Sequence, residues 1–425
     1  MAVLNQGRLN LLLASSSLTI SSAGSILLHI VFALKIYEQT QSGLLTSFFI
    51  SLQWLPMLLV IIYRSDWEHG LNPRTRWYLL DGLCALLTLP ILLFIPSTDY
   101  FAIVGLLFVR GIFDQINRIN KTVAVKALFP KEKAIHYASF LQTGYHVGIG
   151  LAAVIGIFLI DNLDLMTVVW IDAATFVVSA GLLLCTTSIN AVDFPRQVAR
   201  SPFKKRIQEY MEALRSEPRL FFCAILPPAT ATFFQGTYSV LQPLFPIQGL
   251  GLGTAEVSIS YILASIAIVA GSSGFSIFCK RYQLFERSFQ QTIFLVVSLS
   301  FIAALSYVLS VWTQSPVVSA IFFTIMVLLF EFVWMNGYAG IVAFAPNGKL
   351  GSVFGISFSI GCLMASFIGM LVGLLLDMTE NNFLLAVGTF MSIYLLIIFI
   401  GWSQYRKLMA PAETAVLSTL QEKEN

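Results

Sequence analysis

Charged and amide side chains interrupt an apolar region of the chain in the stretch VRGIFDQINRINKTVAVK, residues 109–126. If a helix begins near Tyr100, a rise of about 1.5 Å per residue places Arg110 about 15 Å and Asp114 about 21 Å from its start. At about 100° per residue, four polar side chains lie within about 60° of one another, namely Arg110, Asp114, Asn117 and Lys121. A charge at the centre of a bilayer costs at least ~2.5–3.5 kcal/mol, so such residues generally face a bundle interior or a water-filled cavity. The stripe therefore predicts binding of a substrate or of protons. The alternative is an ion pair between Arg110 and Asp114 that only holds the bundle together.

A second carboxylate with possible chemistry, Glu331, lies at a comparable depth in an apolar run of the second half of the chain. A glutamate there can change its protonation state as water access switches sides, which predicts a role in proton coupling or substrate binding. The alternative is a structural hydrogen bond to a neighbouring helix. Trp334 and Tyr338 continue the same helical face and would suit a planar or aromatic ligand, although aromatic residues at this spacing also occur as packing.

Other polar side chains inside apolar runs are candidates of the same kind, each with a structural alternative. Two are histidines, which titrate near neutral pH; the full set is His29, His146, Gln235 and Tyr238. Asp172 lies in a run expected at the periphery, where we expect a structural or gating role.

Motifs for catalysis and for metal or cofactor binding are missing from the sequence. The five cysteines have no metal-ligand spacing, and no His-Glu-x-x-His, Gly-x-Ser-x-Gly or Walker-type pattern occurs. The segment GLGLGT at 249–254 resembles part of a dinucleotide fingerprint but precedes no strand–helix unit. We therefore expect no cofactor, no metal and no enzymatic activity; a membrane enzyme or assembly factor is the alternative of another class.

Composition places these residues in a polytopic membrane protein. The chain of 425 residues is 57% hydrophobic and 11% charged, and its net charge of +3 is too small to indicate nucleic-acid binding. Twelve apolar runs are long enough to cross a bilayer as helices. Their approximate bounds are 9–35, 43–63, 77–95, 100–122, 134–160, 165–187, 219–241, 255–278, 289–311, 317–341, 351–376 and 383–402.

The basic residues are distributed unevenly between the two sides of the predicted spans. Of the 25 lysines and arginines, 22 fall in loops and helix ends on one side, and only Lys35 falls on the other. By the positive-inside rule, both termini and the long loop after the sixth span are cytoplasmic. That loop predicts an amphipathic helix from Pro202 to Arg215, with Ile207, Tyr210, Met211 and Leu214 on one side.

The loop divides the chain into halves that resemble each other. Residues 129–161 align without a gap on residues 345–377, which superposes Pro130 on Pro346 and Lys133 on Lys349; at the same offset Asn120 meets Asn336. Parallel repeats of this kind are known in transporters. We expect an all-α membrane protein of twelve transmembrane helices in two pseudo-symmetric six-helix bundles. The predicted parts are residues 1–190 and 218–408 for the bundles, 191–217 for the linker and 409–425 for a cytoplasmic tail.

Two six-helix halves with a basic linker resemble the major facilitator superfamily, and several motifs resemble its branch of enterobactin-type siderophore exporters and macrolide efflux proteins. These motifs are IYEQTQSGLLTSFFISLQWLPMLL, WYLLDGL, KALFPKEKAIHYASF and VVWIDAATFVVSAGLL. The second-to-third loop, YRSDWEHGLNPRTR, keeps Asp66, Arg74 and Arg76 of the superfamily motif with altered spacing. The resemblance implies that these three residues form a cytoplasmic gate with the end of the fourth or eleventh helix. Helix 5 has the glycines of the antiporter motif but not its proline.

The resemblance also implies a function. We expect a monomeric secondary transporter in a bacterial cytoplasmic membrane that exports a small molecule in exchange for protons by alternating access. A siderophore is favoured over a macrolide-like drug because the polar stripe is partly cationic. Multidrug efflux and proton-coupled uptake remain alternatives.

Overall fold

The computed structural model describes residues 2–52, 54–57, 59, 71–97, 99–129, 134–159, 163–188, 203–282, 285, 289–346 and 350–424. Within these ranges the regular structure is helical, without β-strands. The helices are α1 (Ala2–Thr40), α2 (Gly43–Ser51), α3 (Pro73–Thr88), α4 (Tyr100–Leu128), α5 (Ala134–Leu159), α6 (Leu165–Leu184), α7 (Phe203–Ser216), α8 (Pro218–Gly249), α9 (Thr254–Tyr282), α10 (Phe289–Trp312), α11 (Pro316–Phe344), α12 (Leu350–Met378) and α13 (Phe383–Glu424).

Most of these helices are long and apolar enough to cross a membrane. In the described residues, ten helices meet both conditions, and they correspond to ten of the twelve predicted spans. The other two predicted spans, 43–63 and 134–160, contain α2 and α5, and part of each lies outside the described residues. The prediction of an all-α, multi-pass membrane fold is confirmed.

Several helices begin where the sequence supplies a polar capping side chain. The first backbone N–H groups of a helix have no partner within the helix, so a preceding side-chain oxygen that accepts from one of them stabilises the start. In this chain the capping residues are Ser42, Asn72, Asp99, Asp164 and Glu217. Proline follows Asn72 and Glu217 at the first helical position, where its missing N–H costs nothing.

The described chain divides into two compact units. The first comprises residues 1–200, 238–269 and 369–381, and the second comprises residues 201–237, 270–368 and 382–425. These units are defined by spatial contacts. They differ from the predicted bundles because residues 238–269 and 369–381, predicted in the second bundle, belong to the first unit. The predicted bundle, linker and tail boundaries therefore stay a prediction.

Three helix pairs of the first unit have counterparts in the second. In the first unit α1 packs on α5 and α6, and α3 packs on α4 and α6. In the second unit α13 packs on α8 and α10, and α11 packs on α8 and α10. The α1–α6, α3–α4 and α3–α6 pairs thus have counterparts in α8–α13, α10–α11 and α10–α13. This repetition agrees with the sequence repeat.

Close approach at these contacts depends on small residues. A side chain at Gly340 of α11 would collide with Cys223 of α8, and a side chain at Gly24 of α1 would collide with Thr175 of α6. Small residues let transmembrane helices pack backbone to backbone where the hydrophobic effect does not drive association.

Helix α8 departs from regular α-helical geometry. It contains π-helical segments at Ala231–Gln235 and Phe245–Gly249. Pro227 and Pro228 precede the first segment and Pro243 precedes the second. Proline lacks the N–H that would bond four residues back and its ring displaces the preceding carbonyl, which explains why the hydrogen-bond pattern shifts here.

Candidate functional site

Arg110 of α4 is part of a closed polar cluster that joins four helices of the first unit. Its Nη2 lies 2.9 Å from Oδ2 and 3.0 Å from Oδ1 of Asp172 in α6, and it donates to Ser25 Oγ of α1 at 2.7 Å. Asp172 also accepts from Ser25 and, at 3.2 Å, from Thr88 of α3. Arg110 is 3% exposed and Asp172 is fully buried. The guanidinium and carboxylate therefore neutralise each other inside the bundle.

This pairing corrects the alternative predicted for the stripe, since the ion partner of Arg110 is Asp172 and not Asp114. The partner was missed because Asp172 was placed at the periphery. A usable signal existed, since an isolated arginine and an isolated aspartate in separate apolar helices of one bundle are expected to pair.

Asp114 differs from Arg110, although both lie on α4. It is half-buried, and in the described part of the chain it makes no hydrogen bond and no ion pair. At about 100° per residue it points roughly opposite the most exposed apolar side chains of α4, which are Phe101, Val109 and Ile119. Its charge lies within electrostatic range of His29 and Asp172. Asp114 is thus a carboxylate on the inner side of the bundle whose charge is not matched by a bonded partner.

Asn117 belongs to a second buried cluster, centred on Asp81 of α3. Asn117 Nδ2 donates to Asp81 Oδ1 at 2.6 Å, and Ser179 of α6 donates to Asp81 Oδ2 at 2.5 Å. Ser17 of α1 shares a hydrogen bond of 2.7 Å with Ser179. Lys121 Nζ lies 3.8 Å from Asp81 Oδ1. Asn117 is fully buried, so its observed contacts are with the bundle.

The two histidines lie in different surroundings. His29 is half-buried, and its Nδ1 lies 2.6 Å from the carbonyl oxygen of Ser25, which also belongs to the Arg110 cluster. His146 of α5 is half-buried, and its ring packs edge-on against Tyr145 at 5.3 Å. Among the described residues, no hydrogen-bond partner lies within reach of its Nδ1.

An aromatic and cationic contact beside His146 was not predicted as a site. The guanidinium of Arg118 lies 4.9 Å from the ring centre of Trp54 and 5.0 Å from that of Tyr145. Such cation–π contacts gain strength when desolvated. The contact joins α4 and α5 to the segment that follows α2 in the first unit. The signal in the sequence was the arginine itself, which lies inside an apolar run.

Glu331 of α11 has a neutral partner. Ser272 Oγ of α9 donates to Glu331 Oε1 at 2.6 Å. This is the one hydrogen bond of the Glu331 side chain among the described residues. Gly271 allows α9 to approach closely, because a side chain there would collide with the carbonyl of Leu328 and with Glu331. The carboxylate is half-buried. A hydroxyl group can donate to an ionised carboxylate and accept from a protonated one, so Ser272 can serve both states.

Trp334 and Tyr338 pack against α12 within the second unit. The ring of Trp334 meets Phe358 at 5.9 Å and that of Tyr338 meets Phe354 at 5.0 Å, both edge to face. Phe354 and Phe358 stack on each other. Tyr338 nevertheless remains 36% exposed. Its packing therefore leaves part of the ring accessible.

Gln235 and Tyr238 lie in neighbouring turns of α8. Gln235 ends the first π-helical segment and is half-buried. Tyr238 is buried. The two residues fall in different compact units, so each is described only within its own unit.

The predicted gate residues are partly described. Asp66 lies outside the described residues. Arg74 donates to Thr186 Oγ1 and to the carbonyl of Leu184, each at 2.9 Å. These contacts are with the end of α6 and not with the end of the fourth or eleventh span. Arg76 is buried and donates to the carbonyl of Leu71 at 3.2 Å. The gate role stays a prediction.

Known proteins give a consistent picture of the fold. The family model described as Major Facilitator Superfamily matches residues 9–370. A bacterial homolog of the human lysosomal transporter Spinster, in an inward-facing and unoccupied conformation, is similar in structure with a TM-score of 0.63 at 14% identity, over 95% of this chain and 97% of that chain. The E. coli fucose:proton symporter FucP is similar with a TM-score of 0.59 at 14% identity, over 93% and 98% of the two chains. No curated protein matches the sequence significantly.

Proposed function

The chain belongs to the Major Facilitator Superfamily, and from this membership we propose that it is a secondary transporter that exports a small molecule in exchange for protons. The family and the transporters with the same fold support transport of a small molecule rather than catalysis. Proton exchange, the export direction and the bacterial cytoplasmic membrane are the finer parts of this proposal.

The observation that carries proton coupling is the environment of Glu331. A carboxylate inside a membrane helix is costly to keep charged, and this one has a hydroxyl group as its bonded partner and no cation within ion-pair distance in the described residues. Glu331 can therefore lose its charge by taking up a proton without leaving a cation unpaired. Asp172 does not have this freedom, because Arg110 would be left charged.

The substrate class is inferred from the surroundings of the two arginines of α4. Arg110 is neutralised by Asp172, so it no longer supports the cationic interpretation of the stripe. Arg118, between Trp54 and Tyr145, supports it instead. A guanidinium flanked by aromatic rings favours a planar, anionic compound such as a catechol-type siderophore over a cationic drug. Macrolide-type efflux is the second candidate. Uptake is the third, because FucP, a structure of the same fold, is a proton symporter.

The proposal is tested in proteoliposomes that contain the purified protein and a pH-sensitive dye. We expect a gradient of an iron-free catechol siderophore to drive proton movement through the wild-type protein. A macrolide gradient should drive it weakly or not at all. Glu331→Gln keeps the shape and can still accept from Ser272 but cannot titrate, so we expect it to abolish substrate-driven proton movement.

A measurement of substrate binding separates the proposal of proton coupling from that of the substrate class. We expect Glu331→Gln to leave the Kd of the siderophore within about tenfold, because glutamine keeps the shape of the side chain. A factor of ten corresponds to about 1.4 kcal/mol of binding free energy. Gln290→Glu, in which a carboxylate is placed at the start of α10, is a control with a charge change elsewhere in the second unit. Normal proton movement in Glu331→Gln would exclude this residue from coupling. Proton movement driven by the macrolide and not by the siderophore would overturn the substrate class alone.

A further inference from the structure

The linker helix α7 is fixed close to the end of a membrane-crossing helix. Only Glu217 separates α7 from α8. Glu217 accepts from the backbone N–H of Arg219 at 3.1 Å and from the Arg219 side chain at 2.8 and 3.0 Å. These bonds to Arg219 hold the pKa of Glu217 below its usual value. The junction is thus a short turn closed by hydrogen bonds, and it holds α7 next to the start of α8.

A second contact holds α7 along its length. The hydroxyl of Tyr210 shares a hydrogen bond of 3.1 Å with Ser357 of α12, and burial raises the pKa of Tyr210. Ala213 and Leu214 are buried on the same side. Ser357 lies seven residues after the start of α12 at Leu350, about 10 Å along the helix. A tyrosine side chain is long enough to reach that depth only if α7 lies beside the start of α12.

The uncovered side of α7 has an uneven charge distribution. At about 100° per residue, four side chains fall within about 80° of one another next to the buried side. We call this set the linker edge, and it consists of Lys204, Ile207, Met211 and Arg215. Met211 is 41% exposed, and neither Lys204 nor Arg215 makes an ion pair in the described residues. The acidic residues of α7, Glu209 and Glu212, lie on the opposite edge together with Lys205. Along the helix axis, the linker edge therefore has apolar residues at its centre and a basic residue at each end.

We propose that the linker edge binds the anionic phospholipid headgroups of the leaflet into which α8 and α12 enter. An amphipathic helix at the membrane surface inserts its apolar side chains shallowly while its basic residues bind lipid phosphates. Met211 and Ile207 supply the apolar contact, and Lys204 and Arg215 supply the charges. The connection to α8 and the contact with Ser357 hold this edge at the height of the headgroups. The proposal does not depend on what the protein transports.

The experiment uses the full chain in a cysteine-free background, with an environment-sensitive fluorophore at Met211→Cys. The protein is reconstituted in phosphatidylcholine alone and in phosphatidylcholine with an equal amount of phosphatidylglycerol. We expect a blue-shifted emission and stronger quenching by headgroup-attached nitroxide in the anionic bilayer. The difference should decrease at high salt, because exposed charges are screened.

Charge variants identify the residues that bind. Each basic residue near an anionic surface contributes about fivefold to binding, so we expect Lys204→Gln with Arg215→Gln to weaken the bound state about 30-fold and to remove the lipid dependence. Lys205→Gln removes the same type of charge from the opposite edge and should preserve it. The melting temperature of each variant in detergent shows that the chain is folded.

Several outcomes would overturn the proposal. These are equal emission and quenching in the two bilayers, an effect of Lys205→Gln as large as that of the double variant, and disulfide formation between two copies through Met211→Cys. The last outcome would identify a second copy of the chain as the occupant of the linker edge.

Discussion

Two kinds of buried carboxylate occur in this protein at the residue scale. Asp172 and Asp81 each accept hydrogen bonds from two or more neighbouring helices and have a cation nearby, Arg110 at 2.9 Å and Lys121 at 3.8 Å. Asp114 and Glu331 lack a cation within ion-pair distance in the described residues. The first kind fixes the positions of helices, because protonating it would leave the neighbouring cation without its counter-ion. Of the second kind, Glu331 has a hydroxyl group as its bonded partner, and for that reason we propose it for proton coupling.

The pairing of Arg110 with Asp172 leads to a prediction about stability. Removal of one partner leaves a buried charge and typically costs about 3–5 kcal/mol, whereas replacing both partners is often close to neutral. We therefore expect Arg110→Met and Asp172→Asn each to lower membrane yield and melting temperature strongly. The double variant should recover most of both losses. Fluorescence-detected size-exclusion chromatography and thermal unfolding in detergent measure these quantities.

A control for this prediction is available on the surface. Lys35 and Glu38 form an ion pair of 2.9 Å whose side chains are 36% and 53% exposed. Exposed pairs contribute about 0–1 kcal/mol, so Lys35→Met should leave the melting temperature nearly unchanged. If the losses from Arg110→Met and Asp172→Asn simply add in the double variant, the two residues are not coupled and the cluster has another role.

At the scale of helices, the sequence was sufficient to locate the elements but not their contacts. Hydropathy located α4, and its periodicity gathered Arg110, Asp114 and Asn117 on one side. It could not show that Arg110 pairs with a residue 62 positions away, because such pairs depend on how α4 and α6 pack. The linker helix was predicted within one residue at each end. Met211, expected with the apolar residues of its buried side, is exposed. The π-helical segments of α8 were missed, although the adjacent prolines were the signal.

The start of α2 leads to a second prediction at this scale. Asp377 near the end of α12 accepts from the backbone N–H groups of Gly43 and Leu44 at 2.6 and 3.0 Å and from the Ser42 hydroxyl at 2.9 Å. An anion at the amino terminus of a helix is stabilised by the unpaired N–H groups and by the helix dipole, by up to ~2 kcal/mol. We expect Asp377→Ala to loosen this contact. A maleimide should then label Ser47→Cys, which is buried beneath it, roughly tenfold faster for about 1.4 kcal/mol of lost stabilisation.

Asp164 supplies the matched control. It also caps a helix, accepting from the N–H of Thr167 at 2.6 Å, and hydrogen bonding to the side chain and the backbone of Thr167 lowers its pKa. It caps its own helix, α6, and makes no hydrogen bond to α2 in the described residues, so Asp164→Ala should not change the labelling of Ser47→Cys. Unchanged labelling in Asp377→Ala would show that Gly43 and Gly373, which approach closely here, are sufficient to hold the contact.

The distribution of charge is a property of the whole molecule. In the sequence, 22 of 25 basic residues lie on one side of the predicted spans. By this prediction the long loop that contains α7 falls on the basic side, and the loop that precedes α2 falls on the other. Basic residues in short loops are retained on the cytoplasmic side during insertion. The direction of transport and the leaflet of the linker edge both depend on this orientation.

The orientation is tested by labelling single cysteines in intact cells, and the structure decides which positions are suitable. All five native cysteines are free, and Cys185 is exposed, so the background must be cysteine-free. Lys205 of α7 and Gln314, between α10 and α11, are exposed and lie on opposite predicted sides. Gly251 is unsuitable because its φ of 65° disfavours any other residue. We expect a membrane-impermeant maleimide to label Gln314→Cys in intact cells, and Lys205→Cys only after permeabilisation. Labelling of Lys205→Cys in intact cells would place both termini outside, and the linker edge would then contact the outer leaflet.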